Sequence, residues 1–455
     1  MERERLGSRL GFILLSAGCA IGIGNVWKFP YMVGENGGGI FVLIYLFFLL
    51  VMGVPVLTME FSLGRASQKS PAKMYQQLEP KGSKWHIHGY VAVAGSYLLM
   101  MFYTTVSGWM LHYFVAMAQG KFKGLNTKEV TSYFGNLTLD AKTMTIYVLI
   151  VVIIGFLINS FGLQNGLEKI TKVMMIALLV IMIILAINSI FMEGGKEGLA
   201  FYLLPDMKRM MDIGIGNVIV AAMNQAFFTL SLGMGAMAIF GSYIGKERAL
   251  AGEAVNVALL DTFVAFSSGL IIFPACFAYG VEPGSGPGLI FITLPNIFNN
   301  IPLGRLWGSL FFVFMSFAAL STVLTVFEGI IAGSIDLFGM SRKRACVING
   351  VLMMILSLPC VLGFNVLSGI QPFGEGSNIM DLEDFIVSNL LLPIGSLIFI
   401  LFCVSKKGWG WENFTKEANT GKGLKIQNIL RGYITYVLPV IVFGVFIIGL
   451  YNFFK

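Results

Sequence analysis

An apolar segment that begins at Leu10 is interrupted about halfway across a bilayer by Gly18, Gly22, Gly24 and Asn25. Glycine allows the backbone to leave a helix and lets another group approach it closely. In hydrocarbon, the freed backbone groups must be satisfied by protein, water or a bound solute. The interruption therefore predicts a broken helix with a solute site at mid-membrane, which points to a transporter.

Long apolar segments make up most of the chain, and charged residues account for only 12% of it. A membrane span needs about 20 mainly apolar residues. Eleven segments qualify, roughly 10–35, 38–64, 86–119, 144–160, 164–192, 213–243, 248–280, 306–338, 344–364, 384–404 and 429–453. No sizeable soluble domain fits between them. The sequence therefore predicts a single all-α polytopic membrane domain over residues 1–455.

The net charge of +7 is explained by topology and not by binding to nucleic acid. With the N-terminus in the cytoplasm and the side alternating at each span, 21 Lys and Arg residues fall on the cytoplasmic side and 9 outside. This asymmetry follows the positive-inside rule. An odd number of spans then places the C-terminus outside.

A second interruption lies in the sixth apolar segment, at residues 227–235. Paired interruptions five spans apart predict two inverted five-helix repeats with the solute site at their interface. We assign the repeats to residues 1–195 and 205–404, and an extra helix to 429–453. The proline-rich stretch 281–304, around an apolar run at 289–298, predicts an outer re-entrant or lid hairpin.

The first interruption, together with Arg9-Leu10-Gly11, Val26-Trp27-Lys28-Phe29-Pro30 and Glu35-Asn36-Gly37-Gly38-Gly39, resembles the signature of the neurotransmitter:sodium symporter family. The second interruption is similar to the break in that family's sixth helix. The resemblance covers essentially the whole chain. The eleven-span length and Gly233-Met234-Gly235 resemble bacterial members that carry aromatic and hydrophobic amino acids.

The resemblance implies a substrate site at the break of the first helix. The amides of Gly22 and Gly24, at the positive end of a half-helix, would bind the substrate carboxylate together with the hydroxyl of Tyr103. The full set of substrate residues that it implies is Ala20, Gly22, Gly24, Leu99, Tyr103, Phe228, Thr229, Ser231, Met234, Thr322, Val323 and Val326. No charged residue lies among the side-chain contacts, which argues against charged amino acids.

The resemblance also implies two sodium ions held by oxygen atoms. The first would use the Ala20 carbonyl, Asn25, Thr229 and Asp261, together with the substrate carboxylate. The second would use the carbonyls of Gly18, Ile21 and Ala318 and the hydroxyls of Ser321 and Thr322. Alternatively, these two hydroxyls bond back to their own helix, as Ser and Thr often do in spans.

Asp261 departs from the family pattern. Many members have Asn at this position and, four residues later, a Ser that helps to bind chloride, whereas this chain has Asp261 and Ala265. A carboxylate within a span is costly and is a functional candidate by default. We therefore predict that Asp261, with Tyr45 and Gln225 as neighbours, supplies a fixed negative charge and makes transport independent of chloride. Its protonation would couple transport to pH, and the alternative is a protonated, purely structural Asp261.

Gates on both sides are implied by the same resemblance. Lys28 would face Asp384 across an outer vestibule, unless it only extends towards the membrane interface. On the inner side, Arg3 and Asp336 match the ion pair of the family, and Tyr243 and Glu328 match its supporting pair.

We predict a sodium-coupled amino-acid symporter that works by alternating access in a cell membrane, with two sodium ions and no chloride requirement. The short loops suggest a bacterial inner membrane. The alternatives are a proton-coupled amino-acid transporter that uses Asp261 and, ranked lower, an amino-acid sensor. The sequence shows no catalytic constellation, and the five scattered cysteines indicate neither a disulfide framework nor a metal cluster. Nucleic acid and an obligatory protein partner are not expected.

Overall fold

The computed structural model describes residues 3–280 and 288–454, and the regular structure within these ranges is helical. Within these ranges, nine helices are long and apolar enough to cross a membrane. Two bent helix pairs, Arg9–Ala20 with Gly24–Glu35 and Met207–Ile213 with Ile215–Thr229, raise the number to as many as eleven. The predicted all-α fold with about eleven spans is confirmed. The boundaries of the two proposed repeats stay a prediction.

The spans are named α1 to α11 in chain order, with "a" and "b" for the halves of a broken one. Their bounds are α1a Arg9–Ala20, α1b Gly24–Glu35, α2 Gly39–Ser67, α3 His86–Ala118, α4 Ala141–Ser160, α5 Leu163–Ile190, α6a Ile215–Thr229, α6b Ala236–Gly241, α7 Leu250–Ala278, α8 Gly304–Phe338, α9 Arg342–Leu362, α10 Ile379–Val404 and α11 Asn428–Tyr451. Shorter helices in the connections are Pro71–Leu78, Thr127–Leu139, Lys196–Leu203, Met207–Ile213, Leu294–Asn300 and Trp411–Ala418.

The backbone conformation differs between the two breaks. In α6 the break contains left-handed residues, with φ of 51° at Ser231, 100° at Gly233 and 72° at Gly235. Only glycine adopts such angles readily. Gly22 and Gly24 in the α1 break have no such angle. They are needed for the close approach of other side chains, as the site shows.

The loops that were predicted to be cytoplasmic lie on one face of the helical bundle. The N-terminal segment reaches the end of α8 through an ion pair between Arg3 and Asp336 of 3.2 Å. Arg65 at the end of α2 pairs with Glu417 in the α10–α11 connection, at 2.6 Å. We call this face the N-terminal face. The structure thus groups the basic loops together, while their location in the cytoplasm stays a prediction.

The start of α10 differs from the one predicted. The α10 helix begins at Ile379 and not near residue 384, because Asn378 and Asp381 form a capping box that starts the helix earlier. Asp384 therefore lies on a helix and not in a loop. Of the predicted hairpin at 281–304, residues 281–287 lie outside the described residues. The following part forms two short buried helical segments, Leu289–Thr293 and Leu294–Asn300.

Candidate functional site

The break in α1 lies among α3, α6a, α7 and α8. The last carbonyls of α1a have no hydrogen-bond donors within the helix. In the same way, the first amides of a half-helix have no acceptors within it. Side chains from the four surrounding helices supply hydroxyl, amide and carboxyl groups at this point. The site therefore contains both freed backbone groups and polar side chains, all buried in an apolar protein.

Residues from α1, α6a and α7 meet in a closed hydrogen-bond network. The amide of Asn25 donates to Asp261 Oδ1 at 2.8 Å and to Thr229 Oγ1 at 3.1 Å. The Thr229 hydroxyl donates to the other Asp261 oxygen at 2.9 Å. All three side chains are essentially inaccessible to solvent. Three of the four residues of the first predicted sodium site are thus in direct contact, and the fourth, Ala20, ends α1a beside them.

Of the two predicted neighbours of Asp261, Tyr45 is close to it, and the proximity of Gln225 stays a prediction. The hydroxyl of Tyr45 lies near the Asp261 carboxyl. Tyr45 and Gln225 are buried, and among the described residues the Tyr45 hydroxyl and both polar atoms of the Gln225 amide have no hydrogen-bond partner. Buried polar atoms without partners are rare in proteins and are commonly satisfied by water or an ion. Both side chains therefore carry buried polar atoms that hydrogen bonds among the described residues leave unsatisfied.

A second group of oxygens lies between α1a and α8. The Ser321 hydroxyl is 2.9 Å from the Ala318 carbonyl and 3.3 Å from the Ile21 carbonyl. The Thr322 hydroxyl is 3.3 to 3.5 Å from the carbonyls of Ile21, Gly18 and Ala318. The hydroxyls therefore do bond back to their own helix, but they also reach across to α1a. Five oxygen atoms, none of them from a carboxylate, therefore lie together between the two helices. Hard cations such as sodium prefer oxygen ligands of this kind.

The glycines of the α1 break are required by close contacts. A Cβ atom at Gly22 would overlap the Tyr103 hydroxyl and would lie 2.7 Å from Thr322 Oγ1. A Cβ at Gly24 would lie 2.8 Å from the ring of Phe228. The first helix can therefore approach α3, α6a and α8 only because these positions lack side chains.

Two backbone amides of the α1 break have partners in this structure, and the role of the break in binding the substrate carboxylate stays a prediction. The Gly22 amide is not a free donor, because it donates to Asn25 Oδ1 at 3.1 Å. The Tyr103 hydroxyl instead accepts from the amide of Ile23, at 3.0 Å. Asn25 reaches back over three residues and caps the freed backbone, a contact that glycine content and hydropathy do not predict.

The predicted side-chain pocket is only partly assembled by the structure. Met234 lies in a small apolar cluster with Leu99 and Phe228, and Leu99 also packs against the main hydrophobic core. Val326 lines a small cavity beside Met234. A methyl group of Val323 instead faces α4, where a Cβ at Gly155 would lie 3.3 Å away. Ser231 is half-buried in the α6 break, and the pocket roles of both residues stay predictions.

A vestibule opens on the face opposite the N-terminal face. It is a cavity of about 300 Å³ lined by Ile23, Gly24, Trp27, Lys28, Tyr31, Phe102, Tyr103, Val106, Phe228, Met380, Asp381 and Asp384. Lys28 and Asp384 share this cavity, but no ion pair within 4.0 Å joins them in the described ranges. The Lys28 ammonium instead lies 3.6 Å from the centroid of the Phe228 ring, as a cation–π contact. Asp384 accepts a hydrogen bond from Ser388 at 2.7 Å.

The side chains of the predicted inner gate are in contact. Besides its ion pair with Arg3, Asp336 accepts from the amide of Ser70 at 2.7 Å. The Tyr243 hydroxyl donates to Glu328 at 2.5 Å. The structure is thus closed by polar contacts on the N-terminal face and has its cavity on the other face.

Two residues next to these groups escaped the sequence analysis. Arg342 holds Glu328 with two hydrogen bonds, of 2.7 and 2.9 Å. Glu60 is fully buried in α2 and accepts from the amide of Gly233 at 2.7 Å, so it supports the break in α6. A lone glutamate within an apolar span is a signal that could have identified Glu60. Nothing local in the sequence distinguishes Arg342 from the other basic residues of its loop.

Removal of the Asp336 charge should loosen the N-terminal face. In Asp336→Asn, Arg3 loses its partner in a partly buried ion pair, and we expect a cysteine placed at buried Ile239 to be alkylated about tenfold faster. The rate of thiol labelling in membranes measures this. Asp206→Asn breaks the exposed pair with Arg209 on the opposite face and serves as the control. Equal labelling in the two variants would contradict the gate.

A sequence profile of the Sodium:neurotransmitter symporter family matches residues 3–132 and 127–455 of the chain. YhdH of Bacillus subtilis, named as an uncharacterized sodium-dependent transporter, is 35% identical over 87% of this chain and 86% of its own length. An uncharacterized sodium-dependent transporter of Haemophilus influenzae is 30% identical over 99% of each chain.

A solved structure is similar over nearly the whole length. The crystal structure of MhsT in complex with L-phenylalanine superposes with a TM-score of 0.87 and 37% sequence identity. The match covers 98% of this chain and 99% of that one. Both the helical architecture and the sequence are therefore similar to those of one solved protein.

Proposed function

Because the chain belongs to the sodium:neurotransmitter symporter family and is a sodium-dependent symporter of it, we propose that it carries neutral amino acids with hydrophobic or aromatic side chains. It does so without chloride, by alternating access. The observation that carries this proposal is the convergence of two oxygen-lined groups and one apolar cluster on the break of α1.

Two sodium ions fit the two groups of oxygens. The first group contains the Asp261 carboxylate, and the proposed substrate carboxylate would complete it beside Ala20 and Asn25. Each negative charge would stabilise the ion, and the ion would stabilise the substrate, so the coupling between them is reciprocal. The second group has only neutral oxygens, which suits an ion that is released readily on the inner side.

The substrate side chain would extend from the α1 break towards the apolar cluster around Met234. This cluster contains no charged residue, so a charged side chain would lose its hydration there without a partner. MhsT, which is similar over its whole length, binds L-phenylalanine. Both facts support a hydrophobic or aromatic substrate.

Chloride independence rests on Asp261. The carboxylate has a fixed charge at the position where the family pattern has a neutral amide, and it accepts hydrogen bonds from both Asn25 and Thr229. An added anion next to this carboxylate would be repelled. The chain therefore needs no external anion to balance the sodium charge.

Alternating access is supported by the asymmetry between the two faces. In this structure the vestibule reaches Phe228 and Tyr103, while ion pairs close the N-terminal face. Movement of α1 and α6 against the other helices would close the vestibule and open the N-terminal face.

We assign the protein to a cell membrane, as a multi-pass protein of a bacterial inner membrane, with the N-terminus in the cytoplasm and the C-terminus outside. Its partners are the amino acid and the lipid bilayer.

Uptake into proteoliposomes tests the proposed function directly. The purified protein would be offered a panel of labelled neutral and aromatic amino acids, under a sodium gradient or a proton gradient alone, in chloride or gluconate. We expect accumulation only with sodium, equal in both anions. Accumulation with protons alone would establish the proton-coupled alternative through Asp261, and binding without accumulation would establish a sensor.

The second sodium site makes a sharper prediction. In Ser321→Ala combined with Thr322→Val, two of five oxygens are lost, and we expect the sodium concentration for half-maximal uptake to rise about tenfold. Sodium titration of uptake measures this. Thr325→Val is the matched control, because this hydroxyl donates to two carbonyls of its own helix, at 2.9 Å. A similar rise in the control would refute the assignment.

A further inference from the structure

Gly95 in α3 lies against two residues of the apolar cluster. A Cβ atom at this position would lie 3.0 Å from Leu391 Cδ1 of α10 and 3.2 Å from the sulfur of Met234 in the α6 break. These distances are shorter than ordinary van der Waals contacts. The backbone of α3 therefore approaches the α6 break and α10 here as closely as a missing side chain allows.

The cluster is connected to the vestibule and, through Leu99 and Phe102, also to the main core. Its members from α3 and α6a, Phe102 and Phe228, also line the vestibule. On its other side, Met234 borders a cavity of about 10 Å³, which is roughly the space of one water molecule. Met234 thus lies between Gly95 and the other residues of the cluster, and little free space remains on its other side.

We propose that Gly95 is a specificity-determining residue that sets the largest side chain the transporter accepts. This inference rests on the proposed function, since it concerns the size limit of the same pocket. Met234 has a flexible, unbranched side chain, and it can lie flat against α3 only because position 95 has no Cβ. Because Met234 lies against α3, the end of the pocket has room for a bulky aromatic ring.

A methyl group at position 95 would reduce the space that is available to Met234. Leu391 is part of a long packed helix, whereas the end of Met234 can rotate. The added methyl group would therefore push Met234 towards the substrate and shorten the pocket. Small aliphatic substrates, which do not reach Met234, would be affected least.

The experiment is uptake by Gly95→Ala in proteoliposomes with a sodium gradient, with tryptophan and valine compared in the same preparation. One methyl group in an apolar pocket changes discrimination by about tenfold or more, so we expect the tryptophan-to-valine ratio of kcat/KM to fall by about that factor. Met234→Ala in the Gly95→Ala background should restore the ratio, because the displaced side chain is then absent.

Gly333→Ala in α8 is the matched control, because a Cβ there would lie 3.5 Å from Val93, an ordinary contact. An unchanged ratio in Gly95→Ala, or an equal loss for both substrates that Met234→Ala does not relieve, would overturn the inference. Either result leaves the proposed function intact if the unmodified protein accumulates amino acids with sodium. Absence of sodium-driven uptake in the unmodified protein would refute the proposed function itself.

Discussion

Asp261→Ala should abolish sodium-driven uptake. The substitution removes the only carboxylate of the first oxygen group, which leaves the Thr229 hydroxyl without its acceptor and the Asn25 amide without its shortest hydrogen bond. Loss of one partner of a buried charged hydrogen-bond network costs about 3 kcal/mol or more, which corresponds to about 100-fold in affinity. The measurement is kcat/KM for uptake at saturating sodium, with the sodium affinity determined separately.

The Asp261→Asn variant separates the charge from the shape of the side chain. It retains one oxygen and the packing, so the fold should survive, while the negative charge and one of the two acceptor oxygens are lost. Combined with Ala265→Ser, it reproduces the pattern of chloride-using relatives. We expect uptake by the double variant to be higher in chloride than in gluconate, while the unmodified protein shows no difference. A strong chloride requirement of the unmodified protein would contradict the role of Asp261.

Gly22→Ala is the second substitution with a large expected effect. The new Cβ would overlap the Tyr103 hydroxyl and lie 2.7 Å from the hydroxyl of Thr322. Since Gly22 has no left-handed φ, the effect comes from space and not from backbone strain. The methyl group should displace α1 from both α3 and α8, and displacement by about 1 Å is enough to cost roughly 100-fold in rate.

The control for this prediction is Gly216→Ala. This glycine lies in α6a, and a Cβ there would meet no atom within 4 Å. We expect uptake by this variant to be close to that of the unmodified protein and uptake by Gly22→Ala to be nearly absent, with equal amounts of both proteins in the membrane. Normal uptake by Gly22→Ala would show that α1 and Tyr103 separate during transport and that the contact is dispensable.

The positions of the spans and of both breaks could be predicted from the sequence, because hydropathy and glycine content are local properties. The α6 break was placed at 227–235, and the helix in fact continues through Thr229. The start of α10 was misplaced because the capping box of Asn378 and Asp381 lies in a polar stretch that resembles a loop. Local hydrogen bonding, and not hydropathy, decides such ends.

Several contacts of the site could not be predicted in this way. The cation–π contact of Lys28 with Phe228 and the support of Gly233 by Glu60 depend on distances between helices. The capping of Gly22 by Asn25 depends on how the chain turns within the α1 break. A motif indicates which residue types are present but not which of several partners each side chain chooses. The resemblance implied that Lys28 faces Asp384 across the vestibule, and both residues line that cavity. The contact of the Lys28 ammonium with the Phe228 ring could not be predicted from the motif.

The sequence by itself determined the class of protein, the number of spans and the location of the site. An apolar chain in a membrane has to form helices, and it can leave them only where freed backbone groups are satisfied. Only the tertiary structure decided how that site is built. Whether Asp261 meets Asn25 and Thr229, and whether Gly22 lies against Tyr103, depends on the packing of helices that are far apart in the chain. Close packing fixes these contacts to a fraction of an ångström, which no local pattern encodes.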